Sequence, residues 1–230
     1  MEQAPEFWQR YEAAPLPPPF TAAAPAAMPD GRWLHLPLRD YGAVAVTGFI
    51  ANQASFSVLR PLCAWMAEAA RGFGAEVVVG LPTLGHVFGA PVAEALGHSN
   101  WVAPGYSRKK WYEEALSVPT SSSTAPDARR MWLDPRLLGR LAGRRVLLVD
   151  DVISTGSSAH AGLALLGKAG VRPVGLCVAM AQGDRWRAEW PEDVPVAAAF
   201  ATPLFRRVEG GWMPDEATRP AIRLPLREAA

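Results

Sequence analysis

Short, unbroken apolar runs recur in the middle of the chain. Residues 146–149 are all aliphatic, residues 77–79 are three valines, and residues 171–180 are mostly apolar. Such runs are typical of parallel strands that are covered on both faces of a sheet. They predict three buried strands.

Apolar residues at helical spacing predict three helices, one before the first of these strands and one after each of the first two. The first helix begins at a capping residue, Asn52 or Ser55, and runs to about Gly72. A second covers about residues 86–96, and a third covers residues 159–169. The alternation of strands and helices predicts an α/β fold with a mainly parallel central sheet flanked by helices.

Residues 1–30 are rich in proline and alanine. Proline fits poorly into helices and sheets, so this segment is predicted to be an N-terminal arm. Residues 6–13 could form a short helix within it. The arm could pack on a partner subunit or extend freely.

Two segments flank the predicted core of residues 52–180. Loose alternation in residues 31–51 predicts strands over 33–38 and 43–49. Residues 181–230 contain three tryptophans and seven arginines, which suggests a small lobe rather than more sheet. We expect the two flanking segments to meet as a hood over the carboxyl edge of the sheet.

Residues 103–128 have a different character from the core around them. The segment is first charged and aromatic and then rich in serine, threonine and proline. A long loop inside a compact domain is usually a lid or a binding loop. We therefore expect a flexible loop here.

The polar residues after the run at 146–149 suggest a sugar-phosphate site. Asp150 and Asp151 follow directly, and residues 154–158 form a loop of small and hydroxyl residues that opens a helix. Backbone N–H groups at a helix N-terminus favour an anion. The acids suit ribose hydroxyls or a divalent cation. A sugar phosphate satisfies both requirements.

The run at residues 146–158 resembles the phosphoribosyl-pyrophosphate (PRPP) motif of type I phosphoribosyltransferases. Residues 79–97 resemble the pyrophosphate-loop unit of adenine-type members, and residues 107–109 resemble the start of their catalytic loop. The resemblance implies the type I phosphoribosyltransferase fold. It also implies transfer of the phosphoribosyl group from PRPP to a nucleobase, most readily a purine, with Mg²⁺ as cofactor and a homodimer as assembly.

The resemblance assigns a role to each matching residue. Asp150 and Asp151 would hold the ribose hydroxyls, directly or through Mg²⁺. The remaining assignments are Ser154, Thr155, Gly156, Ser157 and Ser158 for the 5′-phosphate; Leu81, Pro82, Thr83, Leu84 and Gly85 for pyrophosphate; Arg108, Lys109 and Lys110 for the leaving charge; Asp127 as a base-contacting acid; and Leu38 and Arg39 for the base.

Two departures from the family pattern leave alternatives open. Adenine enzymes usually carry an acid and an arginine in the loop at 81–85, whereas this loop has neither. Ser154 stands where hypoxanthine-type enzymes have an aspartate. The chain could therefore be a PRPP- or nucleotide-binding regulator with little catalysis, or a transferase for a pyrimidine or another acceptor. The tryptophans at 186, 190 and 212 could stack a base or simply pack.

Composition narrows the choice of partner and compartment. The formal charge is +1 over 230 residues, so no general attraction to nucleic acid or membrane is expected. Cys63 and Cys177 lie far apart in apolar surroundings, which favours the reducing cytoplasm over a disulfide framework. The first residues do not resemble a signal peptide, and no apolar run approaches the roughly 20 residues needed to span a bilayer.

Overall fold

The computed structural model describes residues 6–120 and 129–225. This part of the chain contains eleven strands and four α-helices. In chain order they are β1 (Ala23–Ala27), β2 (Trp33–Asp40), β3 (Val44–Thr47), α1 (Phe56–Ala70), β4 (Val77–Gly80), α2 (Gly85–Ala95), β5 (Ser117–Pro119), β6 (Arg130–Trp132), α3 (Leu138–Leu141), β7 (Val146–Ile153), α4 (Ser157–Lys168), β8 (Gly175–Gln182), β9 (Val196–Thr202), β10 (Leu204–Val208) and β11 (Gly211–Asp215).

A parallel sheet with the order β4-β7-β8-β9 forms the centre of the molecule. Helices α1 and α2 pack on one face, whereas α4 and the β5–β6 hairpin pack on the other. Val102 extends the sheet beyond β4 by a single parallel bridge to Val79. The predicted α/β core, with a parallel sheet covered on both faces, is confirmed.

The start of α1 follows local capping chemistry. The Ser55 side chain accepts a hydrogen bond from the Val58 N–H, which selects Ser55 rather than Asn52 as the cap of α1.

The central strand, β7, is longer than its apolar run predicts. It does not end at Asp150 but continues to Ile153, because pairing with β8 persists to Ile153 and Ala181.

The prediction that residues 181–230 add no strand to the main sheet is wrong. Strand β9 pairs in parallel with β8 from Leu176 and Val196 to Gln182 and Thr202. Every residue of β9 is buried. The core sheet therefore extends to Thr202 rather than ending near residue 180.

The two flanking segments do meet as a hood. A five-stranded antiparallel sheet has the order β1-β2-β3-β10-β11, and the pairing of β3 with β10 joins its N-terminal and C-terminal parts. An apolar cluster lies within this hood and contains Phe20, Phe205 and Trp212. This sheet therefore contains strands from both ends of the chain.

The N-terminal arm is more structured than its proline content predicts. Residues 23–27 form edge strand β1, where Pro25 is tolerated because an edge strand can lack one N–H donor. The predicted helix at residues 6–13 does not form. Instead, the Trp8 indole donates to the Gly48 carbonyl at 3.0 Å, and the Tyr11 hydroxyl donates to the Val58 carbonyl at 2.8 Å. The described part of the arm thus packs on its own chain.

The predicted loop at 103–128 also contains regular structure in its described residues, 103–120. Gly105 pairs with Trp132, and β5 pairs with β6 as an antiparallel hairpin. Leu116 and Val118 are buried in the core beside α4. Residues 121–128 lie outside the described residues.

Two further features bear on the class of protein. Cys63 and Cys177 are both buried free thiols, as expected for a chain without a disulfide framework. Across residues 6–120 and 129–225, the structure contains no helix with both the length and the apolar character needed to cross a bilayer.

Candidate active site

The loop after β4 and the acids of β7 lie side by side at the carboxyl end of the sheet. The Leu81 N–H donates to the Val149 carbonyl at 2.8 Å, and the peptide bond between Pro82 and Thr83 is cis. Gly85, the first residue of α2, lies against Asp150. A Cβ placed on Gly85 would lie 2.8 Å from Asp150 Oδ1 and 2.9 Å from the Val149 carbonyl oxygen. Only glycine fits this contact without a shift of the backbone.

The acidic pair lies in an environment that disfavours two free charges. Asp150 is 4% exposed, and its Oδ1 accepts a hydrogen bond from the Asp151 N–H at 2.9 Å. Burial, with the neighbouring Asp151 charge as a second cause, raises the pKa of Asp150 well above its ordinary value. Burial also raises the pKa of Asp151. Donors or a cation from a ligand would relieve this cost, so the pair is suited to hydroxyl groups or a metal ion.

The loop at residues 154–158 leads directly into the 12-residue helix α4. Gly156 has φ +85°, a left-handed conformation that favours glycine. The hydroxyls of Thr155 and Ser157 lie 3.1 Å apart on the exposed side of the loop. This loop presents hydroxyls and the free N–H groups of a helix N-terminus at the same edge as the acids.

A buried amide connects this loop to the hood. Gln182, at the end of β8, is 4% exposed. Its Oε1 accepts from the Ser154 hydroxyl at 2.8 Å, and its Nε2 donates to the Thr47 carbonyl of β3. The Thr47 hydroxyl in turn lies 3.0 Å from that of Thr202 at the end of β9. These contacts hold the hood over the carboxyl ends of β8 and β9.

Replacement of Gln182 by leucine is expected to destabilise the fold by about 1–3 kcal/mol, because Ser154 and the Thr47 carbonyl would lose their buried partner. Urea unfolding measures this change. Gln53→Leu, at an exposed position, serves as the matched control and should stay within about 0.5 kcal/mol of the parent. Equal stability of the two variants would show that the amide does not hold the hood.

Sequence reasoning placed Ser154 in the 5′-phosphate cradle, but the structure shows its hydroxyl engaged elsewhere. It donates to Gln182 and accepts from Arg185 Nη2 at 3.0 Å. Because both partners are side chains of this chain, the Ser154 hydroxyl already has its hydrogen bonds. The cradle role of the other four residues stays a prediction, with Thr155 and Ser157 the better placed hydroxyls.

The basic residues predicted for the leaving charge lie on the segment before β5. Arg108 bonds to Glu114 at 2.8 Å, and its guanidinium lies 4.8 Å from the centre of the Trp132 ring. Lys109 and Lys110 are exposed. The structure therefore ties Arg108 to the hairpin, and the catalytic role of all three stays a prediction.

Tyr106 provides the contact between this segment and the loop at 81–85. Its hydroxyl donates to the Pro82 carbonyl at 3.2 Å, and the Arg129 guanidinium lies 3.8 Å from its ring centre. Burial raises the pKa of Tyr106, with the Asp150 charge acting in the same direction. Nearby, His86 Nε2 lies 2.8 Å from the Pro104 carbonyl oxygen, and burial lowers the pKa of His86. The neutral ring can therefore donate to Pro104 and anchor the segment.

Sequence reasoning missed four residues near this site: Tyr106, Arg129, Gln182 and Arg185. None belongs to a recognisable motif, and each is far along the chain from its partner. Gln182 and Thr47 are separated by 135 positions. Only the folded topology brings these residues together.

The residues predicted to contact the base, Leu38 and Arg39, have different surroundings in the hood. Leu38 packs against the apolar cluster inside the hood, and Arg39 lies over Gly48, where an added Cβ would be 2.8 Å from Arg39 Nε. Asp127 lies outside the described residues. The tryptophans are structural: Trp186 and Trp190 are buried beside α4, and Trp212 is buried in the hood.

Comparisons with known proteins identify similar sequences and structures. The family model described as "Phosphoribosyl transferase domain" matches residues 47–196. Adenine phosphoribosyltransferase of Streptomyces coelicolor is 33% identical over 144 residues, which cover 60% of this chain and 71% of the relative. A hypoxanthine/guanine phosphoribosyltransferase of Methanosphaerula palustris is 38% identical over 77 residues, which cover 34% of this chain and 40% of that relative.

A solved structure shares the fold. Adenine phosphoribosyltransferase of Saccharomyces cerevisiae aligns with a TM-score of 0.54 at 20% identity, over 71% of this chain and 94% of the yeast chain. At that identity the likeness concerns the fold alone. The matched family region begins at Thr47 and ends at Val196, so it contains the acids, both loops and the buried Gln182.

Proposed function

This chain belongs to the phosphoribosyltransferase family with the type I fold, and from that premise we propose that it transfers the phosphoribosyl group of PRPP to adenine or a closely related purine, with release of pyrophosphate. The sequence predictions of family and fold class are thereby confirmed. The observation that carries the proposal is the acidic pair of buried Asp150 and half-buried Asp151, which lies against Gly85 of one loop and precedes the loop at 154–158 in the chain.

The acids suit the ribose of PRPP. Each carboxylate can accept hydrogen bonds from ribose hydroxyls, which supply donors to this pair. In the reaction the bond between the anomeric carbon and pyrophosphate breaks, a ring nitrogen of the base attacks, and the ribose ring becomes positively charged. Two carboxylates fixed beside that ring favour the developing cation.

The loop at residues 154–158 would receive the 5′-phosphate. Anions bind at helix N-termini because the first N–H groups lack partners within the helix. Gly156 gives the loop its left-handed turn, and Thr155 and Ser157 supply hydroxyl donors. The cradle and the acids together would hold the ribose 5-phosphate at two points.

Pyrophosphate and Mg²⁺ would lie toward the loop at 81–85. Among the described residues, no group of three or more His, Cys, Asp or Glu side chains could hold a metal ion. The pair Asp150 and Asp151 fits Mg²⁺ that arrives with PRPP, because Mg²⁺ commonly uses one or two carboxylates together with substrate phosphates. When bound, it would neutralise charge on the leaving pyrophosphate.

A catalytically weak nucleotide-binding regulator is the second candidate. The loop at 81–85 contains neither an acid nor an arginine, and Arg108 is paired with Glu114. Both features weaken the grip on pyrophosphate without affecting the ribose-phosphate cradle. A pyrimidine or other acceptor remains an open choice of base. The homodimer and the cytoplasmic location remain expectations, from family resemblance and from the two free thiols respectively.

The test is pyrophosphate release from PRPP and Mg²⁺ with a panel of adenine, hypoxanthine, guanine, uracil and orotate. We expect release with adenine at a rate at least tenfold above that with any pyrimidine. A thermal-shift titration with PRPP and AMP runs alongside. Stabilisation by both ligands, with no release of pyrophosphate from PRPP in the presence of any base, would instead establish the regulator.

A further inference from the structure

The loop at 81–85 needs a cation from elsewhere if the chain binds pyrophosphate. Its residues are Leu81, Pro82, Thr83, Leu84 and Gly85, none of which is charged. Backbone N–H groups and Mg²⁺ balance part of the charge of pyrophosphate. A guanidinium is the side chain best suited to the rest, because its planar donors match phosphate oxygens.

Most arginines around this edge are held by other groups. Arg108 and Arg130 both lie close to Glu114, at 2.8 Å and 3.7 Å. Arg136 pairs with Asp134 at 2.6 Å. Arg130 also donates to the Ser117 hydroxyl at 2.7 Å. These contacts direct the three guanidinium groups toward the hairpin and its flank.

Arg129 has a different position. Its guanidinium lies 3.8 Å from the centre of the Tyr106 ring, whose hydroxyl contacts the Pro82 carbonyl at 3.2 Å. Tyr106 therefore contacts Arg129 through its ring face and the loop at 81–85 through its hydroxyl. The Arg129 side chain is exposed and can reach a ligand.

The backbone at Arg129 is fixed even though its side chain is exposed. The Arg129 carbonyl accepts from the Thr120 N–H at 2.8 Å and from the Thr120 hydroxyl at 2.7 Å. Stacking on Tyr106 then limits where the guanidinium can go, and a cation over an aromatic face is attracted to it. The position is thus preorganised next to the loop, which lowers the entropy cost of binding an anion there.

We infer that Arg129, stacked on Tyr106, supplies the pyrophosphate-binding cation that the loop at 81–85 lacks. This inference rests on the proposed function and adds a residue to it. Tyr106 acts as a positioning residue, because it holds the guanidinium and contacts the loop through Pro82.

The test is calorimetric titration of the parent and three variants with PRPP, pyrophosphate and AMP, each in Mg²⁺. Arg129→Gln should weaken PRPP and pyrophosphate by about 10- to 100-fold, as expected for a lost charge-assisted hydrogen bond, and should leave AMP within about twofold. Arg129→Lys should recover part of the loss because it restores the charge without the planar fork. Arg172→Gln, which removes an exposed pair with Asp193, is the control.

The comparison with AMP distinguishes the loss of a pyrophosphate contact from general disruption of the site, because AMP has the ribose 5-phosphate but not the pyrophosphate. Unchanged PRPP affinity in Arg129→Gln, or an equal loss for AMP, would overturn the inference while the proposed function stands. A parent protein that binds AMP but neither PRPP nor pyrophosphate would overturn both.

Discussion

A double variant, Asp150→Asn with Asp151→Asn, is expected to lose phosphoribosyl transfer by about 10³-fold or more in kcat/KM. Removal of a single preorganised group that stabilises transition-state charge typically costs about 10²–10³-fold. Asp150 is buried and Asp151 is half-buried near the carboxyl end of β7, where water cannot replace both carboxylates easily. Steady-state kinetics with PRPP and adenine measure the loss.

The same variant should fold at least as stably as the parent at neutral pH. Burial raises the pKa of both acids, so the folded state binds more protons than the unfolded state between the ordinary and the raised pKa values. Stability of the parent therefore falls as pH rises through this window. The asparagine variant lacks these groups, so its unfolding free energy should not show that fall.

Urea unfolding between pH 4 and pH 8 provides the measurement. A flat profile in the parent would show that folding does not raise the pKa of either acid. A variant that is much less stable at pH 7 would show that the acids stabilise the fold. Activity within tenfold of the parent would show that they do not hold the ribose.

Replacement of Gly85 by alanine should reduce kcat/KM for PRPP by about 100-fold. The added Cβ would lie 2.8 Å from Asp150 Oδ1 and 2.9 Å from the Val149 carbonyl oxygen, and both are too close. The loop at 81–85 must then move away from the acid, and a displacement of about 1 Å at a catalytic centre can cost about 10²-fold. Because both neighbours are fixed within β7, the loop rather than the strand should shift.

Gly139→Ala is the matched control, because Gly139 has no atom within 4 Å of an added Cβ. It should leave activity and stability nearly unchanged. For Gly85→Ala, we expect AMP affinity to fall less than PRPP affinity, since the residues proposed to bind the 5′-phosphate lie on the loop at 154–158. Full activity in Gly85→Ala would mean that the close packing of loop and acid has no part in catalysis.

Local patterns predicted the elements that contain the chemistry. The aliphatic run before Asp150 and the hydroxyl loop after it identify a strand and the start of a helix, because buried strands and helix starts leave strong local signals. The three predicted central strands and the three predicted helices are all present. The motif also identified the family correctly.

The missed elements have weak local signals. Strand β9 contains four alanines, which have low strand propensity, yet it is fully buried because small side chains let α1 pack closely on the sheet. Strand β1 contains Pro25, and only its edge position makes that proline acceptable. Neither strand can be predicted from its own residues, because each depends on the elements that lie next to it.

The site was predictable in part for the same reason. The acids and both loops lie in contiguous motifs, whereas the Gln182 contacts and the Tyr106–Arg129 stack join residues that are 23 or more positions apart. The hood likewise joins strands from both ends of the chain. Such contacts follow from topology, which local sequence patterns do not report.

The most direct test of phosphoribosyl transfer at this site is phosphorus NMR of PRPP, Mg²⁺ and adenine with the parent protein and with the double aspartate variant. For the parent, we expect the PRPP signals to decline while those of pyrophosphate and AMP rise in equal amounts. The double variant should show neither product over the same period. Absence of AMP with the parent, or equal AMP formation by both proteins, would contradict the assignment.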